Sequence, residues 1–222
     1  AAVRLQEAIQ RKERICVWGD FDVDGQTSTT LLVSALRSLG AEVTYHIPVR
    51  ASESHGVNLP VLQKIIDSAD KPQVLLTCDT GISANESVAF AQQSGVDVII
   101  TDHHDLPPTL PQAYAVVNPK LLPEGHPLAT LPGVGVAYKL AEYLLRQAGQ
   151  EKELERQLDL VAMGIIADLA VLHGDARYLV QRGLQSLRQP HRSGLQAMLE
   201  MVELDPTWLS EEHVSFILAP RL

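Results

Sequence analysis

The sequence predicts an α/β protein in which a parallel sheet of about five strands, flanked by helices, is followed by a mainly helical C-terminal part. Short apolar runs alternate with helix-like stretches as far as residue 117. These runs are continuously apolar, which is typical of strands whose two faces are both covered. After residue 132 only helical patterns remain. The 222 residues suffice for one large domain or a domain with a subdomain.

The predicted strands are short and end at polar residues or turn signals. They cover residues 15–18, 42–47, 74–78, 96–101 and 115–117. Helices are predicted between them at residues 27–39, 59–68 and 84–93. This alternation indicates right-handed crossovers in a parallel sheet. In such sheets ligands bind at the carboxyl ends of the strands.

The second part of the chain carries helical patterns only. Helices are predicted at residues 136–147, 154–166, 178–187 and 195–202, and Ser210 is expected to start another. The proline-rich residues 105–132 lack periodicity and should wrap over a surface. We expect an α/β catalytic domain at 1–132 and a helical continuation at 133–222 that completes the site. The first residue is Ala1 rather than methionine, so we expect a fragment.

Composition excludes several classes of protein. Hydrophobic residues make up 45% and charged residues 20%, which are globular proportions. No apolar run approaches the ~18 residues of a membrane helix, so we expect no membrane contact. Cys16 and Cys78 lie in apolar runs, which excludes a disulfide framework and indicates the reducing cytoplasm. The net charge of −9 requires any nucleic-acid contact to be local or supplied elsewhere.

Acids and histidines follow three of the predicted strands, and one sheet edge would collect them. They are Asp20, Asp22 and Asp24 after the first strand, Asp79 after the third, and Asp102, His103 and His104 after the fourth. Close carboxylate pairs repel by about 4 kcal/mol at an effective dielectric of about 20, so they take up protons or hold a cation. Carboxylates and imidazoles without a thiolate favour Mg²⁺ or Mn²⁺ over structural zinc. Two such ions would form a phosphoryl-transfer clamp.

Each of these signals has a simpler interpretation when taken alone. The first motif could be a calcium loop, although Leu31 stands where the bidentate glutamate of that loop belongs. Asp79 alone could be a helix cap, and a lone histidine is usually structural. Gly25 and Gly81 open helices whose free N–H groups could hold an anion, or they could be ordinary loop residues. Three strand ends with the same chemistry favour a metal site.

These motifs resemble those of the DHH phosphoesterase family. The resemblance rests on GDFDVDG at 19–25, CDTGIS at 78–83 and DHH at 102–104. The segments VNPK at 117–120, LPGVGVAYKL at 131–140, MGIIAD at 163–168 and APRL at 219–222 are similar to those of its bacterial exonucleases specific for single-stranded DNA. The resemblance covers residue 14 to the end of the chain.

The resemblance implies a role for each site residue. Asp22 would bind one metal, Asp79 would bridge, and Asp102 would orient His103. His104 would touch the scissile phosphate, and Asp20 would lie near the site. The implied ligands of the second metal are Asp24, His103 and Asp168. Strand-end reasoning does not find Asp168, which follows an apolar helix and otherwise looks like a solvated helix end.

The family further implies an activity, cofactors and partners. The expected activity is metal-dependent 5′-to-3′ exonuclease action on single-stranded DNA in repair and recombination, with two divalent cations, Mn²⁺ or Mg²⁺. Single-strand-binding protein and a helicase are the expected protein partners, and a DHH-associated domain is expected beyond residue 222. The alternatives are a family hydrolase of short oligonucleotides, cyclic dinucleotides or pyrophosphate, and a catalytically silent replication scaffold.

The expected phosphate contacts lie in less specific segments. Residues 50–58 correspond to a loop that usually has a Gly-Tyr-Gly type sequence in the family, and here Ser54, His55 and Gly56 replace it. This segment could equally be an ordinary polar loop. The candidate phosphate contacts are Arg50, His55, Ser83 and Arg221.

Overall fold

The computed structural model describes residues 1–222 and contains the expected parallel sheet. Its strands are β1 (Arg14–Trp18), β2 (Glu42–His46), β3 (Val74–Cys78), β4 (Asp97–Thr101) and β5 (Ala115–Val117). The order is β2-β1-β3-β4-β5, and every neighbouring pair is parallel. The predicted fold class is confirmed. The central strand β3 is buried along its whole length, which explains its uninterrupted apolar sequence.

Five helices accompany the sheet. They are α1 (Ala2–Arg11), α2 (Val23–Ser38), α3 (Arg50–Glu53), α4 (Leu59–Ile66) and α5 (Asn85–Gln93). The sequence analysis missed α1 and treated the residues of α3 as loop. The buried Arg4 ties α1 to the amino end of the sheet through Glu13 and Asp97, each 2.6 Å away.

The second part is helical, as predicted. Its helices are α6 (Gly133–Gln147), α7 (Glu151–Glu155), α8 (Leu158–Ala167), α9 (Gly174–Leu187), α10 (Ser193–Met201) and the short α11 (Glu211–His213). The single helix predicted at 154–166 is two helices. The break at Gln157 coincides with a buried polar contact, in which Arg192 donates to the Gln157 side chain and to Asp159. Ser210 caps α11 as expected.

A continuous apolar core joins the two parts of the chain. One cluster of 40 buried residues includes Leu5 of α1, Leu31 of α2, Val134 of α6, Val161 of α8 and Leu218. A second cluster of 11 residues covers the other face of the sheet under α4 and α5. This packing fixes the ends of α6 and α8 relative to the strands. No helix combines the length and the apolar character needed to cross a membrane.

Candidate metal centre

The acids and histidines that follow β1, β3 and β4 converge at one edge of the sheet. Trp18 is in register with Thr77, and Cys78 is in register with Thr101. The three loops therefore leave the sheet at the same level. This confirms the expectation that parallel strands would bring their polar ends together.

Asp79 is the most constrained acid of the cluster. It is 2% exposed, its backbone is left-handed with φ of 60°, and Oδ1 accepts no hydrogen bond. His103 Nε2 lies 3.1 Å from Oδ1, outside hydrogen-bonding geometry. Burial raises the pKa of Asp79 well above its usual value, and the charge of Asp22 adds to the effect. A buried carboxylate without a donor is a position at which a cation would be stabilised.

Asp24 is equally buried but is hydrogen-bonded. It lies in the first turn of α2, and its two oxygens accept the N–H groups of Gly133 (2.7 Å) and Val134 (2.8 Å) at the start of α6. Burial raises the pKa of Asp24 well above its usual value, as does the charge of Asp79, while His103 opposes the shift. The positive end of α6 thus compensates part of the negative charge on Asp24.

Two glycines make this close packing possible. A Cβ atom on Gly133 would lie 2.5 Å from Asp79 Oδ1. A Cβ atom on Gly164 of α8 would lie 2.5 Å from Thr27 Oγ1 and 3.0 Å from Asp24 Oδ1. Both distances are shorter than van der Waals contact, so neither position has room for a larger residue.

His103 is shared by two groups of possible metal ligands. Asp24, His103 and Asp168 form one group, and Asp79, His103 and His104 form the other. In each group the donor atoms all lie within 4.8 Å of one another. Asp168 arrives at the C-terminal end of α8. Desolvation raises the pKa of Asp168, and His103 opposes the shift.

Asp102 holds the DHH segment, residues 102–104, in place through hydrogen bonds. It accepts the N–H groups of Ile82 (2.9 Å) and His103 (2.7 Å), and His104 Nδ1 donates to it over 2.7 Å. Burial works to raise the pKa of Asp102, but these hydrogen bonds outweigh it and the pKa is lowered. The same bond raises the pKa of His104. Asp102 therefore orients the His104 ring, whereas the sequence analysis expected it to orient His103.

Asp22 and Asp20 flank the centre. Asp22 is the N-cap of α2, where its Oδ1 accepts the Gly25 N–H over 2.9 Å, and it belongs to neither group of three. Its charge nevertheless acts on Asp79. Asp20 is buried, and burial raises its pKa. Its Oδ2 lies 3.9 Å from His55 Nδ1.

The candidate phosphate contacts are dispersed. His55 is exposed near Asp20, and the Arg50 guanidinium lies 5.1 Å from the centre of the Phe21 ring. Ser83 is exposed just before α5. Arg221 donates to the carbonyl of Ile217 and makes no contact with the acids.

The donor set fits Mn²⁺ or Mg²⁺. It consists of carboxylate oxygens and imidazole nitrogens, which these ions accept. The adjacent Cys78 thiol is buried against Thr29 Oγ1 at 3.4 Å, and burial raises its pKa, so it is not available as a thiolate ligand. Burial, reinforced by neighbouring carboxylates, raises the pKa of Asp24 and of Asp79, so a bound cation would stabilise their charged forms.

Comparison with known proteins agrees with this geometry. Residues 14–165 match the model of the DHH family, N-terminal domain. The chain is 41% identical over 222 residues to the single-stranded-DNA-specific exonuclease RecJ of Bacillus subtilis, covering 100% of this chain and 27% of that protein. Among solved structures, exonuclease RecJ bound to manganese gives a TM-score of 0.89 at 35% identity, covering 99% of this chain and 55% of the other.

A second crystal structure gives a similar result. RecJ of Thermus thermophilus in complex with Mn²⁺ has a TM-score of 0.85 at 33% identity, covering 99% of this chain and 31% of that protein. The chain thus spans only part of the length of the proteins that it resembles. The family model covers most of the sequence and all five strands of the sheet. The chain belongs to the DHH family.

Proposed function

We propose that the protein is a metal-dependent exonuclease that hydrolyses single-stranded DNA from its 5′ end in repair and recombination. The observation that carries this proposal is that two groups of possible metal ligands share His103. One of them contains the buried Asp79, whose Oδ1 accepts no hydrogen bond. The names of the RecJ relatives supply the substrate class. The crystal structures of RecJ with Mn²⁺ and with Mg²⁺ support the cofactor.

The ligands divide between two cation sites. Asp24, His103 and Asp168 would hold one ion, and their donor atoms are already close together. Asp22 would hold the other. Its helix-capping bond uses Oδ1 only, and its charge acts on Asp79. Asp79 lies within reach of His103 and would bridge the two sites.

When bound, Mn²⁺ or Mg²⁺ would neutralise the carboxylates, activate water and stabilise the charge that develops on the phosphate. The protein supplies position and hydrogen bonds. The amides of α6 hold Asp24, and the left-handed backbone of Asp79 directs its carboxylate into the cluster. The hydrogen bond to Asp102 raises the pKa of His104 and so favours its protonated imidazolium form. In that form the ring can donate a hydrogen bond to a phosphate oxygen.

In this proposal the remaining phosphate contacts lie outside the group of metal ligands. Arg50 and His55 stand beside Phe21 on the side of Asp20, where the 5′ end of a strand would enter. Ser83 precedes the start of α5, where backbone N–H groups can hold an anion. Arg221 is the residue before Leu222. The Leu222 carbonyl accepts a hydrogen bond from Gln26, which lies one helical turn after Asp22.

The neighbouring domain, the protein partners and the cellular location are also proposals. Residues 133–222 would complete the catalytic domain and lead into a DHH-associated domain. Single-strand-binding protein and a helicase would supply the strand. A cytoplasmic location agrees with two buried free thiols.

The test is product analysis on one oligonucleotide labelled separately at each end, with Mn²⁺. We expect the 5′ label to appear as mononucleotide at the first time points, and duplex of the same sequence to resist. Asp79→Asn should abolish the release, whereas Asp70→Asn at an exposed ion pair should leave it unchanged. Cleavage of dinucleotides or pyrophosphate without degradation of long strands would favour the alternative hydrolase. Absence of manganese binding would favour the silent scaffold.

A further inference from the structure

The loop formed by residues 50–58 borders the metal centre. The Phe21 ring contacts this segment at two residues, with the Arg50 guanidinium at 5.1 Å and the His55 ring at 4.7 Å from its centre. His55 Nδ1 also lies 3.9 Å from Asp20 Oδ2. The conformation of this loop therefore determines where the Arg50 and His55 side chains lie relative to the metal centre.

The loop contains an unfavourable backbone conformation. Ser54 has φ of 65° and ψ of −173°, a region that is almost restricted to glycine. Its side chain is exposed and contributes no packing that would hold it there. Such a conformation persists only when the surrounding structure holds it.

Four contacts around Ser54 hold the loop. His46 Nε2 lies 2.7 Å from Glu53 Oε2, and both side chains are about one-fifth exposed, at 21% and 18%. The His46 ring packs against Trp18 with 4.4 Å between ring centres. Trp18 Nε1 donates to the Gly56 carbonyl, and Asn58 Nδ2 donates to the Glu53 carbonyl.

The anchors of these contacts belong to the rigid sheet. Trp18 and His46 are the last residues of β1 and β2 and are in register with each other. Glu53 ends α3, the helix that begins at Arg50. The His46–Glu53 hydrogen bond thus connects the sheet directly to the short helix that carries the arginine.

We propose that the His46–Glu53 pair is a positioning device, which holds the 50–58 loop so that Arg50 and His55 can bind the 5′-phosphate end of the strand. This inference rests on the proposed function. His46 and Glu53 do not touch the substrate themselves. Their loss leaves the acids of the metal centre in place and weakens substrate capture.

The experiment compares Glu53→Ala and Glu53→Gln with the parent full-length protein. The matched control is Asp70→Ala, which breaks the Arg14–Asp70 pair at the opposite edge of the sheet. The steady-state constants are measured on a 5′-phosphorylated single strand with Mn²⁺. Binding of the same strand, fluorescently labelled, is measured by anisotropy in an Asp79→Asn background. Trypsin cleavage after Arg50 reports the mobility of the loop.

We expect Glu53→Ala to raise KM and Kd by about five- to tenfold with kcat unchanged, the effect of losing about 1–1.4 kcal/mol of binding. Cleavage after Arg50 should be faster. Glu53→Gln keeps an oxygen that can accept from His46, so its effect should be smaller. Asp70→Ala should leave all of these quantities unchanged.

Unchanged KM and Kd in Glu53→Ala would overturn the inference, even with a lower melting temperature, because the pair would then be only structural. A fall in kcat at unchanged KM would also contradict it. A parent protein that binds the strand without hydrolysing it would contradict the proposed function instead, and the anisotropy measurement would still test the pair. If the parent neither binds nor hydrolyses, both proposals fail.

Discussion

Replacing Asp79 with asparagine should stabilise the metal-free protein. The Asp79 side chain is almost completely buried, and one of its oxygens accepts no hydrogen bond. Burial and the neighbouring charges of Asp22, Asp102 and Asp20 raise its pKa. Asparagine has the same shape without the charge. It also tolerates the left-handed backbone at this position, where alanine would be strained.

The size of the effect follows from the electrostatics of the cluster. Two unit charges 4 Å apart repel by about 4 kcal/mol at an effective dielectric of about 20. The raised pKa of Asp79 favours proton uptake, which offsets some of this repulsion in the native state. We therefore expect Asp79→Asn to increase the free energy of unfolding by about 2 kcal/mol at pH 8. For a chain of this size that corresponds to a rise in melting temperature of about 4–8 °C.

The pH dependence has a definite sign. An acid whose pKa is raised in the folded state binds its proton more tightly there than in the unfolded chain. Its favourable contribution is present at low pH and is lost as the pH rises through the raised pKa. The advantage of asparagine should thus be small at pH 5, where Asp79 retains much of its proton, and should grow toward pH 8.

The assay is thermal unfolding in EDTA and in Mn²⁺, at pH 5 and at pH 8. Saturating Mn²⁺ should stabilise the parent by about 2.7 kcal/mol at a hundredfold excess over Kd, and the variant by much less. Asp70→Asn is the control for the loss of an exposed carboxylate. If Asp79→Asn melts below the parent in EDTA at pH 8, the carboxylates do not repel as argued. An undiminished stabilisation by Mn²⁺ would remove Asp79 from the ligand set.

Three further predictions test the support of the centre. Gly133→Ala should cost about 1–3 kcal/mol of stability and weaken Mn²⁺ binding in a calorimetric titration, because the new Cβ would lie 2.5 Å from a carboxylate oxygen. Asp102→Asn removes the bond that raises the pKa of His104. The alkaline limb of the kcat/KM profile should therefore move to lower pH. Arg192→Ala removes the arginine that pairs with the fully buried Asp159 and leaves only the His191 ring, 3.8 Å away, so thermal unfolding should show a loss of about 3 kcal/mol.

The acids at the strand ends were predictable because the signal is local. A continuous apolar run predicts a buried strand, and the parallel topology sends every carboxyl end to the same edge. No spatial information was needed to place Asp24, Asp79 and His103 together. The same reasoning predicted the donor chemistry, since carboxylates and imidazoles without a thiolate indicate a hard cation.

The rest of the centre depends on tertiary packing, which cannot be read from the hydrophobic periodicity of the sequence. Asp168 follows an apolar helix, and only the packing of α8 against α2 brings it to His103. The family resemblance suggested this residue, and its position on the chain did not. Gly133 and Gly164 were also missed as site residues, because the contacts that exclude a side chain come from residues far away in sequence. The break between α7 and α8 likewise coincides with a contact from far away in sequence, the hydrogen bonds that Arg192 donates to Gln157 and Asp159.

Asp24 and Asp79 show how the two parts of the chain cooperate. Both are about 2% exposed, but Asp24 accepts two N–H groups from α6, whereas Asp79 Oδ1 accepts none. Gly133 takes part in both environments, because its N–H donates to Asp24 while its bare Cα lets Asp79 approach. The helical part thus compensates one carboxylate and leaves Oδ1 of the neighbouring one without a donor. Since burial without a donor favours whatever supplies positive charge, Asp79 is the acid of this cluster whose charge a bound cation would stabilise most.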